Sequence, residues 1–217
     1  MTAPFHNRRE GGEKLAREIL AAGPARPVVL AIPRGGAPVG RALANALACP
    51  FDIIPLIKIP IPWAPEASYG AVAPDGTRAI NEPLLHRFEL SEKELDMAIQ
   101  AVLPIVKKRE ETYRQDRPFP SLKGKTVIIT DDSLASGYTM LAAVRFVRKT
   151  GPQAVIVAVP VASEQGYTLL SSEPGINGIV VLVKDTEQVF SLPSFYKEFD
   201  TVSDDDVVRY LSPTDSR

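Results

Sequence analysis

The chain alternates short apolar runs with longer stretches in which apolar residues recur every three or four positions. Glu10 to Leu20 has the amphipathic helical period and is stopped by Gly23-Pro24. Val28 to Ile32 reads as a buried strand, Val39 to Ala48 as a helix ended by Pro50, and Phe51 to Ile57 as a second strand. Lys125 to Thr130, Gln153 to Pro160 and Ile176 to Val183 read as further strands. Tyr138 to Lys149 and Ser163 to Leu170 read as the helices between them. Ser91-Glu92-Lys93-Glu94 is a capping box that opens a long helix to about Arg114, with a kink or break expected near Pro104. Ser203 followed by Asp204, Asp205 and Asp206 opens a last helix, with acids where the helix dipole favours them.

Strand and helix alternate throughout. That pattern predicts an α/β fold, a Rossmann-like and mostly parallel sheet with helices on both faces. The segment from Lys58 to Glu82 departs from it. Pro60, Pro62, Pro65, Pro74 and Pro83 exclude continuous helix, so a long, partly ordered loop is expected. Within it, Gly70-Ala71-Val72 and Arg78-Ala79-Ile80 flank Pro74-Asp75-Gly76 as a small hairpin.

Bulk properties narrow the function. The 217 residues suit one domain with a sizeable core. The net charge of −1 gives no support for a protein held to nucleic acid by its overall charge. No apolar run approaches membrane-spanning length and no secretory leader pattern opens the chain, so a cytoplasmic setting is the expectation. The lone cysteine, Cys49, cannot form an internal disulfide and reads as a small core residue. His6 and His86 lack metal-ligand spacing, and Lys107-Lys108-Arg109 before Glu110-Glu111 reads as a solvated helix face.

The chemistry concentrates in Val127 to Met140, Val-Ile-Ile-Thr-Asp-Asp-Ser-Leu-Ala-Ser-Gly-Tyr-Thr-Met. A strand delivers Asp131 and Asp132 to the carboxyl edge of a sheet, where open α/β folds bind ligands. Two adjacent carboxylates can accept from the two neighbouring hydroxyls of a ribose. The turn Ser133 to Thr139 can then wrap backbone N–H groups around a phosphate at a helix N-terminus. Pro33-Arg34-Gly35-Gly36, after the first strand, offers close backbone approach and a bidentate cation. Lys58, past the second strand, is a further cation for the same anion.

These motifs resemble the signature of the type I phosphoribosyltransferases. Further segments are similar to one bacterial and archaeal branch of that family: Phe5 to Gly12, Leu30 to Gly36, Tyr69 to Val72, Val157 to Ala162 and Phe195 to Phe199. The resemblance runs from about Phe5 to Leu211. It implies a single domain over 1–217, a hood from about 1–22 and 184–217, and a loop and helix excursion over about 58–120. It implies phosphoribosyl pyrophosphate as substrate, Mg²⁺ held mainly by ligand oxygens with no protein ligand assigned, and transfer to a nitrogen base with release of pyrophosphate. Ser133, Ala135, Ser136, Gly137, Tyr138 and Thr139 would hold the 5′-phosphate; Asp131 and Asp132 would serve the ribose and the developing positive charge. Arg34, Gly35, Gly36 and Lys58 would hold pyrophosphate, with Arg34–Gly35 the candidate for a cis peptide bond.

The resemblance leaves oligomeric state open, with a homodimer the common form, and gives no nucleic-acid or membrane partner. The copy is atypical. Ser133, Ser136 and Tyr138 stand where the branch carries Gly, Thr and Ala, Ile57 stands where it carries Arg, and Ser191-Leu192-Pro193 replaces a small-Val-Gly turn. Phe190, Phe195 and Tyr196 are candidates to stack on a base or to fill the core. A non-catalytic phosphoribosyl- or nucleotide-binding regulator is the alternative reading.

Overall fold

The computed structural model describes residues 3–61, 63–115, 117–187 and 190–212. Pro62 and the extreme ends of the two segments expected to form a hood lie outside them. The chain begins with α1 (Arg8–Ala22), β1 (Pro27–Ala31), α2 (Gly36–Ala46) and β2 (Phe51–Ile53). It continues through β3 (Ile57–Ile61), β4 (Ala64–Val72), β5 (Arg78–Ile80), α3 (Glu82–Arg87) and α4 (Glu92–Arg114). The second half holds β6 (Thr126–Thr130), α5 (Tyr138–Arg148), β7 (Ala154–Ser163), α6 (Glu164–Ser171), β8 (Gly178–Asp185) and α7 (Asp204–Leu211).

The main sheet has five parallel strands in the order β2-β1-β6-β7-β8. Its strands read as unbroken apolar runs because both faces are buried. Val28, Leu30, Val127 and Ile129 point to the face covered by α5 and α6, through Leu141, Val144, Val147 and Leu170. Their neighbours Val29 and Ile128 point to the other face, covered by Leu15 and Ile19 of α1 and Val39 and Leu43 of α2. The chain leaves β1 outward to β2 and later leaves β6 in the opposite direction to β7. The crevice between the ends of β1 and β6 is therefore the topological switch point of the sheet.

Two glycines seat α1. A Cβ on Gly12 would lie 2.3 Å from the Val39 carbonyl oxygen, and one on Gly11 would lie 2.9 Å from Pro160 Cγ. The close approach brings the first turn of α1, and Arg8 with it, to the carboxyl edge of the sheet.

Several expectations need correction. Phe51 to Ile57 is not one strand. Ile54 donates the last bond to Ala31 of β1, Pro55 has no N–H to continue the ladder, and the chain re-forms as β3 in a different sheet. The proline-rich segment is not an irregular loop but an antiparallel sheet, β3-β4-β5. It tolerates Pro60 because β3 is its edge strand and the register shifts on both sides of that residue. The β4–β5 hairpin forms as expected, with Gly76 in the left-handed region at φ 83°. The small sheet packs on α4 through Ile59, Tyr69, Leu95, Ile99 and Val102. The capping box at Ser91 is present, and α4 runs through Pro104 without a break. Position 104 and the Gln100 carbonyl it frees both lie on the exposed face, so water replaces the lost partner. Finally, β7 runs past Pro160 to Ser163, because its last residues pair with β8 and with Leu134.

A buried arginine locks α4 to the main sheet. Arg114 reaches both oxygens of Asp52 at 2.9 and 3.0 Å, the Ile53 carbonyl at 2.8 Å and Glu110 at 3.2 Å. Removing one partner strands the other charge in a nearly dry place. Arg114→Met is expected to destabilise the protein by about 3 kcal/mol in urea denaturation. The double variant Asp52→Asn/Arg114→Met should recover part of that loss.

Candidate functional site

Strand β6 ends at Thr130 and places the two acids at the switch point. The Asp132 amide donates to Asp131 Oδ1 at 2.8 Å, which fixes the pair side by side. The following turn is pinned from below. Leu134 N–H donates to the Val161 carbonyl, and Ser163 N–H and Oγ–H donate to the Leu134 and Ala135 carbonyls at 2.8 and 2.6 Å. Gly166 lets the turn lie down on α6, where a Cβ would stand 2.4 Å from the Ala135 oxygen.

Gly137 closes the turn with φ 86° as the N-cap of α5, and no side chain caps that helix. Its first-turn N–H groups are left for an anion, reinforced by the helix dipole. Ser133 needs no left-handed backbone, so its substitution for glycine carries no strain.

The residues singled out from sequence fall into two groups. Asp131, Asp132, Ser133, Ala135, Ser136, Gly137, Thr139 and Lys58 line one cavity of about 200 Å³, together with Leu192. Tyr138 is not in its wall. Its ring packs against the core under α5, and burial raises its phenol pKa. Arg34 and Gly35 line an adjacent cavity of about 310 Å³ with Arg8, Phe199 and Asp200. Asp132 belongs to both cavities and forms the partition between them. The Arg34 guanidinium is half exposed and stands 3.8 Å from the Asp204 carboxylate.

The two glycines after Arg34 have a different use from the one expected. They admit the acid pair. Gly35 also lines the second cavity, but Gly36 is buried against Asp131 and lines neither. A Cβ on Gly35 would lie 2.0 Å from Asp132 Oδ2, and one on Gly36 would lie 2.9 Å from Asp131 Cα. The cis peptide bond is Pro33–Arg34, one position before the expected Arg34–Gly35, and Gly35 already has helical angles at the start of α2.

Two residues outside the expected set hold the acid pair. Arg8 Nε donates to Asp132 Oδ2 at 2.9 Å and Nη1 to the Asp200 carbonyl at 2.7 Å. Its guanidinium lies 3.8 Å from the Phe199 ring centroid. The Tyr196 hydroxyl donates to the Asp132 carbonyl at 2.7 Å, and its ring stacks on Phe199. Tyr196 is buried, so it fills the core and is not free to stack on a base; burial and the Asp132 charge push its phenol far up. Phe190 and Phe195 stack on each other. A signal for Arg8 was present in the sequence. Positions 8, 12, 15 and 19 share one face of α1, and a charge on that apolar stripe requires a partner.

Burial, and then the charge of Asp132, push the Asp131 carboxyl well above the usual carboxylate range, against the pull of the Asp132 amide, Lys58 and Arg8. Among the described residues no group of three or more His, Cys, Asp or Glu is placed to hold a metal ion.

Comparison with known proteins agrees with this geometry. The phosphoribosyl transferase domain pattern matches residues 84–183. A Mycobacterium tuberculosis protein provisionally named a phosphoribosyl transferase is 30% identical over 207 residues, 95% of this chain. The match takes in 46% of that protein, so the chain spans about half the length of the curated relatives it matches. The crystal structure of TT1426 from Thermus thermophilus is 32% identical, with a TM-score of 0.79 over 97% of this chain and 98% of that one. A Neisseria gonorrhoeae protein solved with bound ppGpp is 15% identical, with a TM-score of 0.50 over 97% of each chain, a likeness of fold alone. With the acid pair and phosphate turn set on such a sheet, and with these relatives, the chain belongs to the type I phosphoribosyltransferase family.

Proposed function

We propose that the protein binds phosphoribosyl pyrophosphate with Mg²⁺ and transfers its phosphoribosyl group to a nitrogen base. One observation carries the reading: Asp131, Lys58 and the uncapped N-terminus of α5 converge on a single cavity at the switch point. In this reading the N–H groups of the turn and the hydroxyls of Ser136 and Thr139 hold the 5′-phosphate. Asp131 accepts from the ribose hydroxyls, Lys58 takes a pyrophosphate oxygen, and Arg34 meets the pyrophosphate from beyond Asp132. The C1–oxygen bond breaks with its electron pair leaving on pyrophosphate. The base nitrogen forms the new bond to C1 and loses its proton. The chain contributes positioning and charge stabilisation, with no protein nucleophile.

The donor set suits Mg²⁺. Among the described residues two hard carboxylates line the cavity, which suits an ion that keeps its waters and would take most of its ligands from phosphate oxygens. The ion would offset charge on the departing pyrophosphate. We place the reaction in the cytoplasm; the free Cys49 thiol, raised to about 11 by burial, suits a setting without disulfides.

The second reading, a binder without turnover, is favoured by Ile57. It leaves Lys58 as the one cation that β3 supplies to the cavity.

Calorimetry with phosphoribosyl pyrophosphate and Mg²⁺ should show one site per chain, and Asp131→Asn should weaken it by about 10- to 100-fold. No binding by the wild-type protein would sink the proposal. Pyrophosphate release across a panel of purine and pyrimidine bases then separates the two readings; binding without release for any base selects the binder.

The Asp131 carboxyl also makes a stability prediction. Its folded pKa is raised above its unfolded value near 3.8, so the charged form is disfavoured in the fold. Its contribution is therefore fully favourable below that value and is lost as pH rises through the folded pKa. Asp131→Asn should melt higher than wild type in ligand-free buffer at pH 7.5. The gap should close on acidification towards the unfolded value.

A further inference from the structure

We infer that Arg8 is a positioning residue for the pyrophosphate end of the site, acting through Asp132; the inference rests on the phosphoribosyl reading above. Three restraints fix its guanidinium at once: the Asp132 carboxylate, the Asp200 carbonyl and the face of Phe199. The Arg8 and Asp132 side chains are each 11% exposed, so this is an enclosed pair and not a surface bridge. A lysine could restore the charge but not the planar fork that meets two oxygens while lying on a ring.

Asp132 is thereby spent on the architecture. Its Oδ2 takes the Arg8 bond and is also the atom that a Cβ on Gly35 would strike. Its carbonyl takes the Tyr196 hydroxyl. The carboxylate is the surface on which Gly35 rests, and it divides the turn cavity from the Arg34 cavity, while Gly36 lies against Asp131. Asp131 is left as the acid that serves the ribose. Without Arg8, Asp132 would lose the bond that orients its Oδ2 and would be free to turn. The glycine loop would move with it.

The phosphate turn is held chiefly by Val161, Ser163 and Gly166, on the other side of the site; its side-chain link to the Arg8 pair is the long bond from the Ser133 hydroxyl to Asp132 Oδ1, at 3.4 Å. Loss of Arg8 should therefore be felt by the pyrophosphate end of a ligand and spare the 5′-phosphate end. A general scaffold role would weaken both.

The test is calorimetry with two probes, ribose 5-phosphate and phosphoribosyl pyrophosphate, each with Mg²⁺. The variants are Arg8→Met, Arg8→Lys and the exposed neighbour Arg9→Met, with thermal midpoints recorded for each. Arg8→Met is expected to hold ribose 5-phosphate within about threefold of wild type and to lose about tenfold or more for phosphoribosyl pyrophosphate. Arg8→Lys should recover only part of that loss, and Arg9→Met should match wild type. Equal losses for both probes in Arg8→Lys, or no selective loss in either Arg8 variant, would overturn the inference while leaving phosphoribosyl binding intact. A wild-type protein that binds neither probe overturns the phosphoribosyl reading and this inference with it.

Discussion

Two adjacent carboxylates at the end of a buried strand repel each other and lose water, and the fold around them supplies what water would have given. Arg8 answers Asp132, the Asp132 amide answers Asp131, and Lys58 faces the pair from the second sheet. Each donor depends on a distant piece of packing. Arg8 arrives because Gly11 and Gly12 let α1 press onto Pro160 and α2. Tyr196 arrives because Phe5 pairs with it as a parallel bridge, Phe5 N–H donating to the Phe195 carbonyl and Lys197 N–H to the Phe5 carbonyl. The first and last parts of the described chain are thus joined over the acid pair, which binds fold to site more tightly than the sheet alone would.

The arrangement leaves the two acids unequal. Asp132 is neutralised and enclosed, while Asp131 is pushed towards its protonated form in the ligand-free protein. Charge that costs stability without a ligand is what a polyhydroxyl, cation-bearing ligand can stabilise, since hydroxyl donors and a metal ion both favour the carboxylate form. In the proposed function the site would trade resting stability for affinity in one side chain, Asp131, while the other is held by Arg8.

The main sheet was legible because strands buried on both faces show as continuous apolar runs, and because β6 leads directly into its motif. The second sheet was legible only in its β4–β5 hairpin. Pro60 sits inside β3, and nothing local shows that Ile57 leaves the first sheet while Ile53 stays in it. The turn and Lys58 could be proposed as neighbours because each reads as following a strand end, although Lys58 in fact lies inside β3. Arg8 could not be assigned to Asp132, which lies 124 positions away. Its place on the apolar stripe of α1 demands a buried partner, but the identity of that partner is a tertiary fact.

The atypical residues of the turn carry less weight against function than their identities imply. Left-handed backbone is required at Gly137, which is retained, and not at Ser133. Ser136 keeps a hydroxyl in the cavity wall, and Tyr138 keeps its N–H at the helix start while its ring packs into the core. The substitutions fall where backbone angle and space are permissive, so the turn keeps the features that the proposed phosphate cradle needs. The other side is built differently. In the proposed function the pyrophosphate would meet Lys58 from β3 and Arg34 across Asp132, and Gly35 beside Arg34 rests on the Asp132 carboxylate that Arg8 holds. Control of the proposed transfer, as distinct from binding, would then lie with the cations around Asp132 and not with the turn.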